Sequence, residues 1–263
     1  DKLIHNKIKQ YKELQADIIN GLEENQFFLL YQPLFNLKSG KIAELEALIR
    51  WNHPERGLLY PDKFIDLAET SGAIINIDKW VLESACSLLK SRRENEKPPL
   101  LLSINISART FEMKDFIPNL LSVIHQYEVD PATLQLEITE RMLLNNSEEC
   151  IDKLNELRSM GIKVAIDDFG IGYSSLSYII RLPVDSIKID KSFIQNMSSS
   201  AEAKVIVSTI ISLCKALNLN VIAEGIEKVT ELDYLKLNHC DIGQGYYFSM
   251  PESITEIEKK HYS

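Results

Sequence analysis

The chain holds four cysteines, Cys86, Cys150, Cys214 and Cys240, and no two stand close enough to form a CxxC pair. Without such a pair they read as reduced, partly buried thiols in a reducing compartment, and a cysteine zinc site is not expected. The five histidines are scattered and no HExxH occurs, which excludes the usual histidine zinc sites. Positive charge is in deficit: 29 Lys and Arg face 38 Asp and Glu, a formal net charge of −9. So acidic a surface argues against duplex nucleic acid and anionic membrane as partners. Any phosphate ligand would need a local device, such as metal ions or a few placed cations, to offset the repulsion. No apolar run approaches a membrane span and the first residues lack a secretory pattern. The expected location is the cytoplasm, including the cytosolic domain of a membrane-anchored parent chain.

What remains is an ordinary apolar content, 45% of 263 residues, enough for one large domain with a full core. Residues 1–25 carry apolar positions at Ile4, Ile8, Tyr11, Leu14, Ile18 and Leu22, a helical spacing. We expect an N-terminal (linker) helix over 1–24 and one domain over 25–263. Phe27–Gln32 and Ile42–Arg50 read as strands joined by a short turn at Ser39-Gly40. Parallel neighbours need a crossover of about a dozen residues, so these two are expected to be antiparallel. Strands near 100–106, 134–139, 163–167, 186–190, 220–225 and 241–245 then alternate with helical patterns near 62–70, 77–92, 115–127, 147–159, 174–180, 202–217 and 228–237. Eight strands with helical crossovers predict an α/β fold closed as a (β/α)8-type barrel. An open doubly wound sheet is the runner-up, without a GxGxxG after the first strand to support it.

Polar residues recur near the ends of these strands: Glu46 and Arg50, Asn105, Glu137 and Glu140, Asp167 and Asp168, Lys188 and Asp190, Glu224 and Glu227, and Gln244. In a barrel the C-terminal strand ends converge on one mouth, where active sites lie. So many carboxylates in one place must either stay protonated or hold cations between them. Carboxylate and amide oxygens without His or Cys select hard ions such as Mg²⁺ or Mn²⁺. Two adjacent aspartates at a strand end can both turn inward if the pleat breaks there, and can then serve a pair of metal ions. Such a pair clamps the attacking and leaving oxygens of a phosphoryl displacement, with Lys188 and Arg50 supplying fixed positive charge. Each residue also has a plainer reading: Lys188 as a structural partner of Asp190 or Asp168, Asn105 as a loop residue, Glu140 as a first-turn helix residue. Two lookalikes fail: Asp168-Phe169-Gly170 has no kinase catalytic loop before it, and Gly172-Tyr173-Ser174 does not complete GxSxG.

These residues lie in fragments that resemble the EAL domains, bacterial phosphodiesterases of cyclic di-GMP. Glu46-Ala47-Leu48 stands inside ELEALIRWNHPERG, among YQPLF (31–35), PDKFIDLAE (61–69), SINIS (103–107), LEITE (136–140), DDFGIGYSSL (167–176), IKIDKSFI (187–194), IAEGIE (222–227) and GQGYYFSMP (243–251). The likeness runs over about residues 25–252 in the family's order. It implies a modified TIM-type barrel with its first strand antiparallel to the rest, and hydrolysis of cyclic di-GMP to linear pGpG by a water activated at two metal ions. It implies Mg²⁺ or Mn²⁺ on Glu46, Asn105, Glu137, Asp167, Asp168 and Glu224, with Ca²⁺ inhibitory. Lys188 would orient the attacking water, Glu224 would serve as general base, and Gln32, Arg50 and Gln244 would hold substrate or water. Glu140 would hold the loop after Asp168, with Asp190 and Glu227 as support. A homodimer and an upstream sensory or GGDEF domain are implied as well. A silent cyclic di-GMP receptor is the alternative, and an unrelated metal-dependent barrel lyase a remote third. Met250 departs from the basic residue common before the last proline.

Overall fold

Only five residues join strand β1 (Phe27–Asn36) to β2 (Ile42–His53). That length permits a turn and no crossover, and Gly40 provides a left-handed position at φ +70°. The strands pair antiparallel from Phe27↔Trp51 to Phe35↔Ile42. The computed structural model describes residues 14–143, 148–171 and 179–261.

After this hairpin, helical crossovers make every new ring strand parallel to β2. The order is β4 (Leu101–Asn105), β5 (Leu134–Thr139), β6 (Lys163–Phe169), β7 (Ser186–Ile189), β8 (Asn220–Ala223) and β9 (Ile242–Gly243). β9 returns to β1 through the antiparallel register Phe35↔Gly243 and closes the ring. The structure is therefore the eight-strand α/β barrel expected from the sequence, with β1 antiparallel, and not the open sheet. A ninth strand that the sequence did not signal, β3 (Gly57–Leu59), folds back on the end of β2 outside the ring.

Side chains alternate between the two faces of each strand. One row is apolar and packs against the helices: Leu102, Ile104, Leu134, Leu136, Val164, Ile187 and Val221 are fully buried. The other row points into the lumen and is unusually polar. It includes Glu44, Glu46, Ser103, Gln135, Glu137, Ser186 and Lys188, all buried. In a (β/α)8 barrel the lumen is normally filled by bulky branched side chains. Here much of it is taken by charged and hydrogen-bonding groups.

The longest helix, Ile74–Glu94, buries Ile77, Val81, Leu82, Ala85 and Leu89 at helical spacing and exceeds the expected span at both ends. Among the described residues, the short helices Ala108–Glu112, Lys191–Asn196, Ile254–His261 and Glu140–Leu143 escaped the sequence reading. The first two are too short to show a period and are started by N-caps, Ser107 and Asp190. Of the expected N-terminal helix, residues 14–23 are helical; 1–13 lie outside the described residues, as does most of the helix expected over 174–180. The described part is docked, because Ile18 is fully buried in the core. Gly21 lies where a Cβ would come within 3.0 Å of Phe27 and of Trp51 Nε1. No helix among the described residues is long and apolar enough to cross a membrane.

Candidate active site

Lys188 sits on β7 with no exposed surface. A lone buried ammonium is unfavourable unless carboxylates surround it. Four do. Its Nζ lies 2.5 Å from Glu137 Oε2, 2.7 Å from Glu224 Oε1, 3.5 Å from Asp167 Oδ1 and 3.6 Å from Glu46 Oε2. These carboxylates come from β5, the end of β8, β6 and β2, so the barrel's closure is what brings them together. Lys188 thus pairs with neither Asp190 nor Asp168, the plainer partners suggested by proximity in sequence.

Glu46 looks misplaced in the sequence because its apolar run continues beyond it. The pairing removes the puzzle: β2 pairs with β4 only from Glu44↔Leu101 to Ala47↔Ile104 and then leaves the ring to meet β3. Glu46 therefore stands at the end of the barrel part of its strand. Asn105 Nδ2 donates to Glu46 Oε1 at 2.9 Å, and Gln244 Nε2 donates to Glu46 Oε2 at 2.7 Å. Gln244 also reaches Gln32 Oε1 at 3.1 Å, and Gln32 Nε2 donates to the Ser249 carbonyl at 3.0 Å. Both glutamines thus orient the cage.

The paired aspartates have a structural cause. β6 does not stop at Asp167 but runs to Phe169, and its register with β7 slips between Ile166 and Phe169. Asp168 takes a left-handed backbone, φ 54°. A bulge of this kind re-aims side chains that strict alternation would separate. Oxygens of Asp167, Asp168 and Glu224 consequently lie within 4.8 Å of one another. The Gly170 amide, just beyond, donates to Glu140 Oε2 at 2.9 Å, so Glu140 anchors the start of the following loop; residues 172–178 of that loop lie outside the described residues.

Electrostatics follow from burial. Glu137 is raised well above the carboxylate range by burial and by the Glu46 charge, against the pull of Lys188. Glu224 is pushed up to about 8 by burial, with Lys188 opposing and Asp167 and Glu46 adding. For Glu46, burial is outweighed by Lys188 and by the Gln244 and Asn105 donors, which hold it below the usual range. Lys188 itself stays charged: burial disfavours the ammonium, but Asp167, Glu137, Glu224 and Glu46 together overcome it. With Asp168, five carboxylates face one ammonium, an excess of four negative charges when all are ionised. Glu137 Oε1 is buried without a hydrogen-bond partner, as a carboxylate oxygen reserved for a cation would be. An all-oxygen donor set with surplus negative charge fits hard divalent ions.

Arg50 is buried at the same mouth. Its guanidinium lies 5.0 Å over the Tyr60 ring, and Nη1 donates to the Ile49 carbonyl. Tyr60 was not read from the sequence; it becomes a neighbour only through the β2–β3 hairpin. Asp190 and Glu227 stand outside the cage. Asp190 caps Lys191–Asn196 by accepting from the Ser192 amide at 2.9 Å, and Glu227 accepts from Gln195 Nε2 at 3.0 Å. Glu231 also went unread: it is buried and holds the Glu227 and Lys228 amides. Its position four residues after Glu227, at the start of a helix, was the available signal.

Known proteins resemble this chain over nearly its whole length. The chain is 38% identical over 250 residues to the cyclic di-GMP phosphodiesterase NbdA of Pseudomonas aeruginosa, covering 95% of this chain and 32% of that protein. It is 33% identical to the cyclic di-GMP phosphodiesterase PdeR of Escherichia coli strain K12, covering 97% and 38%. Among solved structures, the PaMucR phosphodiesterase in complex with c-di-GMP superposes with a TM-score of 0.90 at 33% identity, covering 93% of this chain and 99% of that one. The chain spans about a third of the length of the first curated relatives it matches. The EAL domain family model matches residues 13–251, and a likeness that embraces the whole barrel and every segment of the cage has one meaning: the chain belongs to the EAL domain family.

Proposed function

We propose that this chain hydrolyses cyclic di-GMP to linear pGpG at the C-terminal mouth of the barrel. The carrying observation is Lys188, buried among Glu46, Glu137, Asp167 and Glu224 beside the converging oxygens of Asp167, Asp168 and Glu224. A cage of that kind serves no packing purpose. Its similarity to named cyclic di-GMP phosphodiesterases supports the substrate.

Glu46, Asn105, Glu137, Asp167, Asp168 and Glu224 would hold two Mg²⁺ or Mn²⁺ ions. Bound ions of this type lower the pKa of water toward neutrality and neutralise phosphate charge. The chain's own residues position the reaction. Lys188 is held on two sides by Glu137 and Glu224, so its remaining donor capacity orients the attacking water. Glu224 is partly exposed at the edge of the cage, where it can take the water proton once added positive charge has brought its carboxyl into the ionised form. The water oxygen bonds to phosphorus, the P–O3′ bond breaks, O3′ leaves as the 3′-hydroxyl on taking up a proton from solvent, and the ring opens with its phosphate left on the 5′ side. Arg50 offers its guanidinium to a phosphate oxygen. Gln32 and Gln244 keep Glu46 aimed, and Asp190, Glu227 and Glu140 brace the loops around the mouth.

The test is formation of pGpG from cyclic di-GMP with Mg²⁺ or Mn²⁺, with a chelated control and a Ca²⁺ arm expected to be inactive. Tight binding without product in the metal-loaded protein would support the receptor reading instead. A homodimer, a cytoplasmic setting and fusion to an upstream sensory or GGDEF domain complete the proposal, to be checked by light scattering and on the full-length parent.

A further inference from the structure

The lumen has a second polar layer beneath the cage. Each of three cage residues has a polar counterpart two positions earlier on the same inward row: Glu44 below Glu46, Gln135 below Glu137, Ser186 below Lys188. A (β/α)8 barrel usually closes this end with branched apolar side chains. Here these residues line a cavity of about 280 Å³ at the N-terminal ends of the strands, with Asn218 and Asn220 also in its wall. Glu44 and Ser186 are 1% and 2% exposed.

Two polar atoms of that wall are buried and unpartnered, Glu44 Oε1 and Ser186 Oγ. Buried polar atoms are rarely left so, and an unpaired carboxylate oxygen is the costlier case. Gln135 Nε2 already donates to Glu44 Oε2 at 2.9 Å, so Glu44 offers one open oxygen rather than a fork. Among the described residues no side chain fills the role. Lys163, on the same inward row, is exposed at the rim and makes no ion pair with Glu44, and Arg158 faces Asp185 at 3.9 Å. One open carboxylate oxygen suits a primary ammonium, a compact charge with three donors, better than a planar guanidinium. β2 and β7 lie four strands apart in the eight-strand ring, so Glu44 and Ser186 face each other across the lumen. A single ion against Glu44 would leave Ser186 unmet, whereas an extended molecule would meet both at once.

We infer that the lower lumen is a binding site for a small primary ammonium compound carrying a second hydrogen-bonding group. Its ammonium is held by Glu44 and its far end by Ser186. This site lies one layer below the cage, whose Lys188 and Glu46 act on Glu44 through space, and it does not depend on the phosphodiesterase assignment.

The test uses the whole chain, with 4-aminobutan-1-ol as probe and tetramethylammonium, a cation without N–H, as control. Crystals soaked with the probe should show it joined to Glu44 Oε1. NMR titration should give a Kd at least tenfold weaker in Glu44→Gln, and weaker in Ser186→Ala, with tetramethylammonium inert. Water molecules satisfying both atoms and left undisplaced by the probe would overturn the inference. So would equal affinity in the variants, or equal binding of tetramethylammonium. If Glu44→Gln fails to fold, the soak and Ser186→Ala decide.

Discussion

Replacing Lys188 by methionine keeps most of the side chain's volume and removes its charge. Its contacts at 2.5, 2.7, 3.5 and 3.6 Å are each worth several kcal/mol before desolvation, since unit charges at 2.7 Å attract by about 6 kcal/mol at an effective dielectric of 20. Desolvation of the same groups and repulsion among the carboxylates offset most of that. The net figure is the cost of breaking a buried pair, about 3–5 kcal/mol. Urea unfolding of the chelated protein should therefore show Lys188→Met destabilised by that amount. Glu137→Gln makes the necessary contrast. Its charge is already disfavoured by burial and by Glu46, so removing it should leave the chelated protein as stable as the parent or more so. With Mn²⁺ present the order should change: the parent gains stability through ligand binding, and Glu137→Gln gains less. A loss below about 1 kcal/mol for Lys188→Met, or a large loss for Glu137→Gln in chelator, would refute the reasoning that the cage is held by one ammonium and awaits further positive charge.

Asp167→Ala should cut the rate of pGpG formation more than about 100-fold without unfolding, since even outer partners of a metal site cost ten- to a hundredfold; near-parental activity in the product assay would remove Asp167 from the site. Ile18→Ala should cost about 2–5 kcal/mol, because Ile18 is fully buried; a neutral result by thermal unfolding would mean that residues 14–23 are an appendage. Burial pushes the thiols of Cys86, Cys214 and Cys240 up to about 12. Almost no thiolate then exists at pH 8, and a thiol reagent should label these three only after denaturation. Rapid labelling of the native protein would contradict their burial.

Much of the site was legible because its residues obey local rules. The strand–helix rhythm identified eight strands, and a short β1–β2 link demanded an antiparallel start. Polar residues at strand ends marked Asn105, Glu137, Lys188 and Glu224 as a set. Other features were illegible for definite reasons. β3 is three residues long, shorter than any periodicity can register, and it carries Tyr60 to Arg50. Glu44 went unread although Glu46 was noticed: alternation places it on the same inward face, but a carboxylate below the mouth has no function that strand ends would suggest. Asp190 and Glu227 are expected only as support, and what each supports is visible only in the coordinates: a helix cap for Asp190 and a contact with Gln195 for Glu227.

The order of elements, the hand-over from a hairpin to helical crossovers, and the identity of the oxygen donors are contained in the linear chain, because they depend on neighbours within a few residues. Which carboxylates share one ammonium is not, because β2, β5, β6, β7 and β8 meet only when the ring closes. Nor is the bulge that turns Asp167 and Asp168 toward Glu224, since a slip in register belongs to two strands at once. Charge at a strand end is a local property; its partner lies across the barrel, and only closure chooses it.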